Sequence, residues 1–134
     1  MGRVRAIGGI FFRCKDPAAQ RDWYAQQLGL KTDEYGTSFA WRHIDNPEAK
    51  GFSQWSPFKS DTTYFEGEFM INYRVDDLDT LLDSLRNAGV EIVGEVSVED
   101  YGKFVHIRDP EGHRIELWEP VDSEYEKILE GITN

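Results

Sequence analysis

Two histidines, His43 and His106, occupy matching places in two similar stretches of the chain, 63 positions apart. Imidazole can transfer protons near neutral pH or ligate a metal ion. The spacing is compatible with a symmetric pair across a shared site, and equally with a packing role inherited by both stretches. A third histidine, His113, lies in a Pro-x-Gly turn, where we expect it at the surface.

Aromatic residues form the second group of candidates, because ring faces can stack an aromatic ligand or hold a cation. The alternative is a core or an interface between subunits. The segment 55–65 also carries Phe58, Tyr64 and Phe65, which favours a lid over a pocket rather than a plain linker. The candidate ligand-contacting aromatic residues are Phe11, Trp41, Trp55 and Trp118.

The elements that must position these residues come in two copies. The segments 46–57 and 109–120 both begin with an acidic or amide residue before Pro-Glu and end in Trp-x-Pro. Such self-similarity indicates a duplicated unit that cannot bury its apolar face alone. We predict one α+β domain over residues 1–134, with two tandem βαβββ modules at about 4–57 and 69–120 and a C-terminal helix at about 123–132.

Composition narrows the range of partners. The chain has 134 residues and a formal net charge of −10, which argues against nucleic acid and anionic membranes as partners. No apolar run of about 18 residues predicts a membrane span, and no leading apolar stretch predicts a secretory signal. We therefore expect a cytoplasmic protein that binds a small molecule or another protein.

The segment 109–117, Asp-Pro-Glu-Gly-His-Arg-Ile-Glu-Leu, resembles the strand-turn-strand motif of the vicinal oxygen chelate superfamily. Trp23-Tyr24 and Leu28-Gly29-Leu30 at the end of the first helix support the resemblance. The superfamily includes glyoxalases, extradiol dioxygenases, and bleomycin and fosfomycin resistance proteins. The resemblance implies a cup-shaped mixed sheet and a homodimer.

Metal-using members of this superfamily hold a divalent ion with four side chains in the cup. The resemblance places these positions at Gly9, Ser53, Met70 and Glu116. Only Glu116 is a good ligand, because glycine has no donor and thioethers suit softer ions. We therefore expect no metal cofactor of the usual kind, with a divalent metal as the disfavoured alternative.

Three further residues are candidates once the cup is assumed. Glu116 is a candidate general base or hydrogen-bond partner of a ligand, or else a carboxylate kept ionised by Arg13 or Arg74. Strand alternation places Asn72 and Arg74 on the face of Met70, where they are candidates for orienting a ligand. The alternative for Asn72 is a bond to a neighbouring strand.

These residues favour a binding or sequestering protein that holds a small organic molecule in an aromatic cup without a metal ion. One alternative is an atypical metal-dependent lyase, isomerase or dioxygenase-type enzyme, with Glu116, His43 or His106 in the catalytic role. The other alternative is a structural or regulatory dimer without a ligand.

Overall fold

A computed structural model describes residues 2–129 and 131–134 of the chain. It has a seven-stranded mixed sheet and three helices, which confirms the predicted α+β class. None of the described helices is long and apolar enough to cross a membrane. The elements are β1 (Arg3–Cys14), α1 (Pro17–Leu28), β2 (Thr37–Arg42), β3 (Lys50–Lys59), β4 (Phe69–Asp76), α2 (Leu78–Asn87), β5 (Ile92–Glu99), β6 (Gly102–Arg108), β7 (Arg114–Pro120) and α3 (Asp122–Leu129).

The sheet joins the two halves of the chain at its centre. Its strand order is β2-β3-β1-β4-β7-β6-β5, and the opening strands β1 and β4 pair antiparallel. Each opening strand also pairs in parallel with the closing strand of its own half, β1 with β3 and β4 with β7. Residues from both halves therefore come together around the four central strands.

Local capping explains where α1 and α2 begin. The Asp16 carboxylate accepts a hydrogen bond from the Ala19 backbone N–H, and Pro17 occupies the first helical turn. In the second half Asp77 caps α2 by accepting from the Thr80 N–H. Asp76, the preceding residue, instead accepts a hydrogen bond from the Arg5 guanidinium.

The first half differs from its prediction by one strand. Between α1 and β2 the described residues form only an isolated bridge between Asp33 and Gly36. The Asp33 carboxylate accepts hydrogen bonds from the Tyr35 and Gly36 N–H groups, which closes a tight turn in place of a strand. The first half is therefore βαββ, whereas the second is βαβββ.

The C-terminal helix is shorter than predicted. It ends at Leu129, and residues 131–134 run beside β2, where Thr133 forms a bridge with Ser38. Residue 130, part of the predicted helix, lies outside the described residues.

The main hydrophobic core lies between α2 and the second half of the sheet. Leu78 and Leu82 of α2 are buried and belong to one cluster with Val105 and Leu117. Since side chains alternate along a strand, the neighbours of Leu117 point to the other side of the sheet. That other side carries the candidate functional site.

Candidate functional site

A cavity of about 640 Å³ lies on the side of the sheet opposite α2. Its lining comes from β1 and β3 of the first half, from β4 to β7 of the second half, from the loop that joins the halves, and from Tyr125 of α3. Seven of its nineteen lining residues are Phe, Tyr or Trp. A cavity of this size suits a small organic molecule.

Glu116 forms the polar floor of the cavity and is only 1% exposed. Its Oε1 accepts a hydrogen bond from Asn72 Nδ2 at 2.6 Å. Its Oε2 lies 2.8 Å from His106 Nε2 and also accepts from the Tyr64 hydroxyl. All three contacts bring donors to Glu116, which is the arrangement that an ionised carboxylate can satisfy.

The tautomer of His106 follows from its second contact. Its Nδ1 lies 2.7 Å from Nη1 of Arg114. Because a guanidinium can only donate, Nδ1 is the acceptor, and the imidazole proton lies on Nε2. His106 therefore donates Nε2–H to Glu116 as a neutral ring, and the contact is a hydrogen bond rather than an ion pair.

Tyr64 closes the floor from the connecting loop (residues 60–68). Its ring stacks on Phe58 with the two centroids 5.7 Å apart and meets the edge of His106. Burial, followed by the negative charge of Glu116, raises the pKa of Tyr64 well above its usual range. Its hydroxyl therefore stays protonated and donates to Glu116.

The connecting loop is held against the sheet by arginines. The Arg13 guanidinium donates to four backbone carbonyls of the loop, including those of Ser60 and Thr62. At the far end Arg108 and Arg114 bind Glu66, and these hydrogen bonds lower the pKa of the Glu66 carboxyl. The lid predicted over 55–65 thus begins later, since β3 extends to Lys59 and the cover comes from the connecting loop.

Asn72 leaves one polar atom without a partner. The residue is 1% exposed, and its Oδ1 has no hydrogen bond within the described part of the chain. It lies against Gly8, where a Cβ atom would collide with it. Glycine at this position therefore makes room for the Asn72 amide on the cavity floor.

Gln54 lies across β1 from Asn72 and is already engaged. Its Oε1 accepts from the hydroxyls of Ser38 and Tyr125, and its Nε2 donates to Ser56. Gln54, Tyr101 and Tyr125 also line a second cavity of about 450 Å³ beneath α3. These three residues therefore separate the two cavities.

The four positions expected from metal-using relatives do not meet in the structure. Met70 is buried in a cluster with Phe11 and Phe65. Ser53 donates to the Ile7 carbonyl and accepts from the Trp41 indole. The placing of the family's ligand positions on Ser53 and Met70 was wrong, because the strand register pairs Asn72 with Glu116 and Gln54 with Gly9.

The residues that are present fit a divalent ion poorly. Glu116 already accepts from three protein donors, and Gln54 Oε1 accepts from two. Asn72 Oδ1 is the single uncommitted oxygen among these three side chains. Within the described residues no group of three His, Cys, Asp or Glu side chains is placed to hold a metal ion.

The structure divides the predicted ligand-contacting residues into two sets. Phe11, Asn72 and Trp118 line the cavity. Trp55 does not, because its ring packs on Phe12 and on Tyr24 of α1 on the helix side of the sheet.

Arg74 and Trp41 also lie outside the cavity lining. The Arg74 guanidinium lies between the Trp41 and Trp118 rings and forms a two-bond contact with Asp122 of α3. Neither Arg13 nor Arg74 forms a hydrogen bond with Glu116, so the alternative in which one of them keeps that carboxylate ionised is wrong. Arg74 instead attaches α3 to the sheet.

The two histidines are not a pair. His43 contacts Trp41 and lies 3.9 Å from Asp122, whereas His106 lies on the cavity floor. His113 binds Asp109 and is largely exposed, as its turn position predicted.

Sequence reasoning missed several residues of the wall. Phe104 has the strand parity of His106 and could have been found by alternation. Gln54 required the register of β3, which the sequence does not state. Tyr101 and Tyr125 required the position of α3, since Tyr125 packs between Trp118 and Tyr101.

The fold and the cavity agree with a match to a family model. The model of the Glyoxalase/Bleomycin resistance protein/Dioxygenase superfamily matches residues 6–117. The chain therefore belongs to this superfamily, as the Asp-Pro-x-Gly motif had indicated.

Solved structures show the same fold at low sequence identity. A variant of Streptomyces coelicolor methylmalonyl-CoA epimerase in complex with 2-nitronate-propionyl-CoA is 18% identical, with a TM-score of 0.67, covering 89% of this chain and 99% of that chain. Methylmalonyl-CoA epimerase from Mycobacterium tuberculosis is 20% identical, with a TM-score of 0.60, covering 92% and 93%. No curated protein matches the chain significantly.

Proposed function

We propose that this protein binds a small, largely apolar organic molecule in the 640 Å³ cavity without the help of a metal ion. The observation that carries the proposal is the Glu116 carboxylate on the floor, whose hydrogen bonds are all made within the protein. Glu116 accepts from Asn72, His106 and Tyr64, while the wall around it is aromatic. Such a site gains affinity from buried apolar area and orients its ligand with few polar contacts.

The same contacts favour binding over acid–base catalysis. Both nitrogens of His106 and both oxygens of Glu116 are engaged in hydrogen bonds within the protein. A general base must reach the proton that it removes, and these groups would first have to break existing bonds. These hydrogen bonds hold the floor in one arrangement, as a preorganised binding surface requires.

The test is a titration of chelator-stripped protein with N-phenyl-naphthylamine, a neutral dye that fluoresces in apolar sites. We expect saturable binding that is unchanged by chelator. Trp118→Leu should weaken it by about tenfold, because a buried aromatic contact is lost. Trp55→Leu is the matched control, since Trp55 packs under α1, and it should stay within about twofold.

Circular dichroism confirms that each variant is folded. Phe58→Leu, in the cavity wall, replaces Trp118→Leu if that variant does not fold. Equal losses in the Trp118 and Trp55 variants, or no binding at all, would contradict the cavity as the binding site.

Calorimetric titration of Ni²⁺, Zn²⁺, Mn²⁺ and Fe²⁺ tests the metal-free part of the proposal. We expect no stoichiometric binding, because the Glu116 carboxylate and the Gln54 amide oxygen are already committed, which leaves Asn72 Oδ1 alone as an uncommitted oxygen. Tight binding at one ion per chain that Glu116→Ala removes would instead support an atypical metal-dependent enzyme.

A proton-transfer enzyme is the second candidate, favoured by the direct contacts of Glu116 with His106 and Tyr64 at the cavity. The epimerases that share this fold are named for methylmalonyl-CoA. Exchange of the α-proton of methylmalonyl-CoA in D₂O, followed by NMR, tests this candidate. Exchange that wild-type protein catalyses and Glu116→Gln does not would displace the binding proposal.

We also infer a homodimer, which the superfamily resemblance implies. Light scattering coupled to size-exclusion chromatography should give twice the chain mass of 15.5 kDa. A mass of one chain across micromolar concentrations would show a monomer.

A further inference from the structure

The charged side chains that line the cavity are of one sign. Glu95, Glu99 and Glu116 line it, and no Lys or Arg does so among the described residues. Glu95 and Glu99 lie exposed on the edge strand β5, and neither forms an ion pair in the described part of the chain. An anionic ligand would therefore meet like charge at the rim and find no cationic partner inside.

The aromatic wall of the cavity is a second feature, beside the acidic side chains, that suits a cation. Ring faces carry partial negative charge and attract ammonium groups. Phe104 and Trp118 lie nearly parallel, with centroids 5.6 Å apart and planes at 8°. The aromatic side chains of the lining are Phe11, Phe58, Tyr64, Tyr101, Phe104, Trp118 and Tyr125.

The floor adds an independent observation, because its donors are used and one of its acceptors is not. The Asn72 Nδ2, His106 Nε2 and Tyr64 hydroxyl donors all serve Glu116. Asn72 Oδ1 is buried and has no partner within residues 2–129 and 131–134. A buried acceptor without a partner is costly, so a ligand that donates an N–H there would relieve the deficit.

From these three observations we propose that the ligand is an organic ammonium ion, a protonated amine on an apolar or aromatic body. The body packs against the rings, the ammonium group donates to Asn72 Oδ1, and the rim carboxylates supply the compensating charge. This inference rests on the proposed function, because it names the ligand class of the same cavity.

The experiment compares three probes that share one body and differ in the charge of the head group. They are para-tert-butylbenzylamine, which is an ammonium ion at pH 7, para-tert-butylbenzyl alcohol and para-tert-butylbenzoate. Calorimetry on chelator-stripped protein measures the three affinities. We expect the amine to bind at least about tenfold more tightly than the alcohol, and the benzoate to bind most weakly, since the carboxylates of Glu95, Glu99 and Glu116 line the cavity.

Variants at the rim separate charge from shape. Glu95→Gln and Glu99→Gln should each weaken binding of the amine by about three- to fivefold and leave the affinity for the alcohol unchanged. The effect on the amine should be smaller at high salt. Glu111→Gln removes the same charge in the turn between β6 and β7, outside the cavity lining. It should change neither affinity.

The outcomes are distinguishable from those of the proposed function. If the alcohol or the benzoate binds as tightly as the amine, the ammonium assignment is overturned. Binding of the dye at the cavity would still support the proposed function. Equal effects of the Glu95, Glu99 and Glu111 variants also overturn it, because general charge would then explain the preference. If none of the three probes binds, the ammonium assignment is overturned as well. If the dye also fails to bind the same protein, the proposed binding function is overturned with it.

Discussion

The two halves of the sheet contribute unequally to the hydrophobic core and to the candidate site. In the second half α2 buries Leu78 and Leu82 against the sheet, whereas α1 in the first half buries no residue and leaves Trp23 54% exposed. The second half also supplies Glu116 and His106 to the cavity floor. A duplicated unit can therefore keep its strand order while the two copies diverge in what they bury.

The repeat-related tryptophans show the same divergence at one residue. Trp118 is 2% exposed and lines the cavity, whereas Trp55 packs under α1. The register explains this difference, since Trp118 pairs with Arg74, on the same face of β4 as Asn72, and Trp55 pairs with Ile10. Similar sequence positions therefore do not ensure the same face of the sheet.

The largest expected effect tests the unequal cores. Leu82→Ala should lower the free energy of unfolding by about 2–5 kcal/mol, because it leaves a cavity beneath α2. Leu28→Ala in α1 is the matched control, and its side chain is 59% exposed, so we expect less than about 1 kcal/mol. Urea denaturation measures both values, and equal losses would contradict a core concentrated in the second half.

A smaller effect is expected at the cavity floor. Glu116→Ala should lower the free energy of unfolding by about 2–3 kcal/mol, because three donors at the cavity floor lose their common acceptor. Gln54→Ala, at the facing position of the first half, should lower the free energy of unfolding by about 1 kcal/mol, since the partners of Gln54 are neutral hydroxyls. The reverse order in urea denaturation would show that the first half carries the more demanding polar site.

The smallest effect concerns pH. The pKa of Tyr64 is higher in the folded protein than in the unfolded chain, so the folded state retains this proton as the pH rises above about 10. The contribution of Tyr64 to stability is complete below that pH and is lost progressively above it. Tyr64→Phe should therefore flatten the alkaline decline of the melting temperature, whereas Tyr35→Phe, at an exposed site, should not. Parallel declines in wild type and Tyr64→Phe would contradict the hydrogen bond to Glu116.

Much of the fold could be predicted from the chain, because its signals are local. Asp16 before Pro17 and Asp77 before Leu78 are helix starts that depend on neighbouring residues alone. The alternation of side chains along a strand likewise requires that Glu116 and Trp118, two residues apart in β7, share a face. The absence of a third strand after α1 in the first half was harder to predict, because the Asp33 side chain forms hydrogen bonds that favour a turn over a strand.

The candidate site was only partly predictable. Glu116, Phe11 and Trp118 were expected in the cavity and line it, and Asn72 joins them. His43, Trp41 and Trp55 were expected there and lie elsewhere. Their positions depend on strand register and on α3, which involve residues distant along the chain.

The sequence by itself determined the superfamily, the two related halves and the acidic, aromatic character of the protein. These properties follow from residue types and short spacings. The tertiary structure alone decided that Asn72, His106 and Tyr64 converge on Glu116, because β4, β6, β7 and the connecting loop must meet before those contacts exist. A shift of one residue in a strand turns every side chain to the other face, so the site depends on a register that only the folded sheet sets.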